Sequence, residues 1–149
     1  MIRPAALLAL LLWVGCKTSS SRTTDTFSAS IISKELKLRF LRDYLGGPSE
    51  PQDVEFHIVF RDNSDGCVPG SDDYDVQVVE RVKPDEVSLW ADGCVRSRLE
   101  ARPTWVGPLV KDKKGWAVKE QPDTFRCGHE ERVIHVHEGV IYRRLTTMD

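Results

Sequence analysis

The chain has 149 residues, 40% of them broadly hydrophobic and 30% charged. That is a single-domain length with enough apolar content for a modest core, too polar for a polytopic membrane protein and too apolar for disorder throughout. Its 21 Lys and Arg stand against 23 Asp and Glu, a formal net charge of −2, which gives no global electrostatic reason to expect a nucleic-acid partner.

At the start, Met1-Ile2-Arg3-Pro4 is followed by ten unbroken apolar residues, Ala5 to Val14, and then Gly15 and Cys16. A positive residue ahead of an apolar run of this length has the form of a secretory leader, whereas a membrane-spanning helix needs about 20 apolar residues. The junction Leu12-Trp13-Val14-Gly15-Cys16 resembles the lipobox of bacterial lipoproteins, in which a small residue precedes a cysteine that is lipidated and becomes the new N-terminus. The resemblance covers the leader only. It implies that residues 1–15 are a lipoprotein signal peptide, that Cys16 carries the lipid, and that the chain meets the membrane through that lipid. Lys17, following the cysteine, is not Asp. By resemblance to enteric lipoprotein sorting, this implies the outer membrane of the bacterial cell envelope.

Between positions 17 and 30, nine of the fourteen residues are Ser or Thr, and there is no periodic apolar face. A segment so poor in burial cannot offset its ordering entropy, so residues 16–30 are expected to be a lipidated tether, with a single globular domain over 31–149.

In that domain, Ile32, Leu36, Phe40 and Tyr44 recur at spacing four, while Leu36, Leu38 and Phe40 alternate with charges. The Gly46-Gly47-Pro48 stop decides for a helix over 31–45, capped by Ser30 or Ser33. Val54, Phe56, Ile58 and Phe60 have the period of a strand. A Gly-, Asn- and Asp-rich loop follows over 61–75, then a strand from Val76 to about Val82. Pro84, Asp85 and Glu86 open a short helix ending near Ala91. Residues 95–110 read as an edge strand or extended connection, and Trp116-Ala117-Val118 as a short strand. The last segment, 132–145, reads as a hairpin around Glu138-Gly139. The expected class is α+β, with an N-terminal helix packed on an antiparallel sheet of short strands and a second short helix.

Several chemistries are excluded by spacing. There is no Gly-rich phosphate cradle and no Gly-x-Ser-x-Gly elbow. His129-Glu130 and His137-Glu138 are followed by Val133 and Ile141 where the zinc-protease helix needs a second His. The loop Asn63-Ser64-Asp65-Gly66 fails as an EF-hand, because Arg61 occupies the first ligand position. Asp62, Asp65, Asp72, Asp73 and Asp75 read as solvated turn formers. Trp90, Trp105 and Trp116 read as packing residues rather than an aromatic binding patch.

What remains is the concentration of Cys127, His129, His135 and His137, which offers ligand-type side chains to a metal and a thiol–imidazole pair to a small envelope enzyme or metal-handling protein. Against it stands the strand period, which puts Ile134 and Val136 on the core and His135 and His137 in solvent. The expectation is therefore no metal site, no cofactor and no catalytic residue. The domain is read as a binding or structural module at the envelope, with an envelope protein as candidate partner. With Cys16 lipidated, Cys67, Cys94 and Cys127 remain for one disulfide. Cys67 with Cys94 is the expected pair, since each follows a glycine whose backbone freedom helps meet the bridge geometry.

Overall fold

The computed structural model describes residues 22–64 and 70–147. The leader, Cys16 and Cys67 lie outside them. Seven strands form one antiparallel sheet: β1 (Arg22–Phe27), β2 (Asp53–Asp62), β3 (Asp72–Arg81), β4 (Val95–Arg96), β5 (Asp123–Cys127), β6 (Glu130–His135) and β7 (Val140–Thr146). Their spatial order is β1-β2-β3-β7-β6-β5-β4. The chain thus makes two meanders, β1 to β3 and β4 to β7, and joins them through the β3–β7 ladder. Helical elements among the described residues are few: α1 (Lys34–Tyr44), α2 (Val106–Val110), and 3-10 turns at Ser28–Ser30 and Pro84–Ala91.

This corrects the expected class. Among the described residues the helix is not the first element: β1 precedes it, inside the stretch read as tether, and the architecture is mostly one antiparallel sheet with few short helices. The reason is physical. A strand at a sheet edge needs only backbone partners, and four of the six β1 residues are Arg, Thr or Asp that leave their side chains in water while the main chain pairs with β2 from Arg22↔Asp62 to Phe27↔His57. Thr is well suited to a pleated, half-exposed surface. Phe27 stacks on His57 with ring centroids 3.8 Å apart, and His57 Nε2 lies 2.8 Å from Asp25 Oδ1.

The two sides of the sheet follow from the register, because residues directly opposite one another share a face. One face carries Val79, Tyr142 and Val133 in line, with His135 and Val140 beside them. It is covered by Val106, Leu109 and Trp116 from the irregular 99–120 segment. The other carries Val54, Phe56, Ile58 and Val78 under Leu41 of α1, and Ile134 and Ile141 under Val87 and Trp90. Both faces are buried, so polar-out alternation fails across the middle strands.

Three local expectations are corrected as well. Trp116-Ala117-Val118 is not a strand: Trp116 is a buried cover residue with the Arg81 guanidinium 5.2 Å from its ring centroid. Residues 106–110 form α2 rather than an extended connection, and Pro108 is tolerated because first-turn N–H groups have no intrahelical acceptor. Finally, β6 ends at His135, and Val136 and His137 are exposed in the turn before β7.

Candidate functional site

The disulfide joins Cys94 to Cys127, not to Cys67. Val95 pairs with Arg126 and Arg96 with Phe125, and continuing that register one step places Cys94 opposite Cys127, with Cα atoms 4.5 Å apart. Bonded cysteines supply neither a thiolate nucleophile nor a metal ligand, so the Cys127, His129, His135 and His137 constellation does not form. His129 is exposed at the β5–β6 turn, and His137 is exposed at the opposite end of β6. His135, expected in solvent, is 0% exposed and meets the edge of Tyr142 with centroids 4.9 Å apart. Burial holds its pKa below the ordinary value, against the charges of Glu138 and Glu120, with Arg102 acting in the same direction as burial.

On the face of α1 lies a feature that the motif search did not reach. Glu80 of β3, Arg132 and Glu130 of β6 and Arg143 of β7 all share that face by register. Arg132 sits directly opposite Arg143, a pairing of like charges that Glu130 resolves by accepting from both. Arg143 Nε donates to Glu130 Oε1 at 2.9 Å and Nη2 to Oε2 at 2.9 Å, while Arg132 Nε donates to the same Oε1. Arg143 Nη1 donates to Glu80 Oε1 at 2.7 Å, and Nη2 also reaches the Gly46 carbonyl at 2.9 Å. Trp90 roofs both guanidinium groups, 5.0 Å above Arg143 and 5.6 Å above Arg132, and is itself pinned by Nε1 donating to Ser49 Oγ at 2.9 Å. Gly47 lets the 46–51 loop lie on that roof: a Cβ there would come within 2.4 Å of the Trp90 ring.

The two carboxylates differ. Burial opposes ionisation of both, but at Glu130 the bonds and charges of Arg143 and Arg132 outweigh it and hold the pKa below the usual range. At Glu80, burial wins over Arg143 and the pKa is raised. Its Oε2 has no hydrogen-bond partner. Glu80 and Arg143 form part of the lining of a pocket of about 370 Å³, with apolar walls from Leu38, Leu41 and Leu45. Arg42 and Glu50, ion-paired and largely exposed, line its outer part. The pocket thus combines a buried carboxyl that has an unpaired oxygen with apolar walls from α1 and charged groups at Arg42 and Glu50, which suits recognition of a small polar group carried on an apolar body. A carboxyl whose pKa is raised in a pocket is also a signature of functional sites.

Glu80 and Arg143 were findable by parity, since Glu80 follows Val76 and Val78 at even spacing and Arg143 lies between Ile141 and Leu145. A third buried carboxylate, Glu55, lies on the opposite face, paired across the strands with Val79. Burial again opposes its charge, but Lys113, Lys37 and Ser28 together hold its pKa below the usual range. It ties the 3-10 turn, α1 and the 111–115 segment to β2.

Comparison with protein-family models, with curated proteins and with solved structures finds no match.

Proposed function

We propose that the chain is a bacterial envelope lipoprotein, anchored through Cys16 at the outer membrane, whose sheet domain is a binding module. The structural observation that supports an exported location is the Cys94–Cys127 bond, since structural disulfides persist in oxidising compartments and are rare in the cytosol. Among the described residues no helix is long and apolar enough to cross a membrane, so the reading places attachment on the lipid. The pocket above Glu80 and Arg143 supplies the binding surface, with a ligand or an envelope protein partner presented at the rim formed by Arg42 and Glu50.

The test is made in cells. Growth with an alkyne-bearing fatty acid is expected to label the wild-type chain in the outer-membrane fraction, and Cys16→Ala to abolish both label and membrane recovery. A photo-crosslinking residue at position 42 or 50 is expected to give a discrete adduct, with none from position 85 on the 3-10 turn. An unlabelled chain contradicts the anchor. Labelling without a rim-specific adduct contradicts the binding reading.

A further inference from the structure

On the face opposite the pocket, His135 closes β6 with its side chain fully buried, and neither ring nitrogen is held in a well-formed hydrogen bond, although the Glu120 backbone lies close enough to favour the protonated ring. Leaving a buried donor unmet costs about 1–3 kcal/mol, so native interiors rarely keep such a group without a use for it. Two carboxylates converge on it. Glu120 comes from the covering segment and Glu138 from the turn after β6, and one ligand atom from each of the three residues lies within 4.8 Å of the others. Nδ1 of His135 is 3.9 Å from Oε2 of Glu138. That is too long for a hydrogen bond. It is close to the separation of roughly 3.3 Å between two ligands held about 2.0–2.1 Å from a tetrahedral zinc.

The carboxylates are also held in place from behind. Glu138 accepts from the Lys119 N–H at 2.8 Å and 3.1 Å, one bond to each oxygen, and Glu120 accepts from the His137 N–H at 3.0 Å and 3.2 Å. Oε2 of Glu138 also accepts a long bond from the Glu120 N–H at 3.4 Å, while Oε1 and both Glu120 oxygens accept one donor each and keep a lone pair; outer contacts of this kind orient metal ligands. We propose that Glu120, His135 and Glu138 form a binding site for a divalent transition-metal cation of the zinc class, with water completing its coordination. The imidazole nitrogen selects such ions over magnesium and calcium, which prefer all-oxygen sites. Two carboxylates balance the ion's charge. The partial exposure of Glu138, 27% of its side chain, gives a path from solvent. The site is independent of the anchor and of the Glu80 pocket.

The experiment uses the detergent-extracted full chain, stripped with a chelator and titrated with zinc alone against a chromophoric chelator, with bound metal counted by mass spectrometry. One equivalent is expected, with a rise in Tm that excess magnesium or calcium does not reproduce. His135→Gln and Glu138→Gln are each expected to weaken binding at least tenfold. The partly exposed Glu138 variant keeps the test decisive if the buried one fails to fold. Replacing the exposed His129 and His137 together by Gln is expected to leave the equivalent in place. No uptake by the wild-type chain, retention of zinc by Glu138→Gln, loss of zinc in the His129 and His137 double variant, or equal binding of magnesium would each overturn the site.

Discussion

Arg143 is 2% exposed and joins two carboxylates that would otherwise be buried without a full complement of partners. Removing one member of a buried ion network costs about 3–5 kcal/mol, because the charges left behind cannot recover their hydration. Arg143→Met is accordingly expected to lower unfolding free energy by that amount in urea titrations, with Arg132 retaining Glu130 in part. Glu80→Gln is expected to cost little near pH 5, since an amide oxygen still accepts from Arg143. The pH dependence separates the carboxylates. Glu80 has a folded pKa above its ordinary 4.5, so between the two values the native state holds a proton that the unfolded chain has released. Its contribution is complete below about 4.5 and is withdrawn as pH rises through the folded pKa. Glu55 and Glu130 have folded pKa values below 4.5, so their contributions are present above 4.5 and are lost as pH falls. Urea midpoints from pH 3 to 8 should therefore fall on both sides of a maximum, and Glu80→Gln should flatten the alkaline side only. An alkaline decline unchanged in that variant would show that Glu80 is not its source.

At the scale of elements, β4 is two residues long and sits at the sheet edge, so the disulfide to β5 holds what two residues of ladder cannot. Its sequence separation of 33 corresponds to about 3–4 kcal/mol in the chain-entropy account. The Cys94→Ala and Cys127→Ala double variant is expected to lose that much stability and to show earliest hydrogen exchange in β4 and β5. Gly139 is a second fixed point of this half. It has φ 63°, and its carbonyl accepts from Val82 N–H at 2.8 Å. A Cβ there would meet the Val82 carbonyl oxygen at 2.5 Å. Gly139→Ala is expected to cost at least about 1–3 kcal/mol, the range for a non-glycine residue in left-handed backbone, measured by thermal unfolding.

The same elements show what could be read in advance. β2 was legible because Val54, Phe56 and Ile58 alternate onto one core, and the last hairpin was legible because Gly139 marks its turn. β1 was not, because edge pairing leaves no apolar signature in Arg22 to Thr26. The side on which His135 falls was not, because it depends on the cover segment 99–120, which has no period and brings Glu120 from a distance. The Cys94–Cys127 pair was hidden for a related reason: a two-residue strand sets the register, and glycines beside cysteines say nothing about strand pairing.

For the whole molecule, two meanders joined at β3 and β7 put the 22–27 edge strand at the end of the sheet opposite the disulfide-bonded edge. The first described strand starts six positions after Cys16 in the sequence. The envelope reading depends on the proposed attachment through Cys16. The most direct measurement is the mass of the N-terminal peptide of the protein extracted from membranes. The account predicts a peptide that begins at Cys16 and carries acyl chains, with residues 1–15 absent; recovery of an unmodified Cys16, or of Met1 to Gly15 on the mature chain, would contradict it.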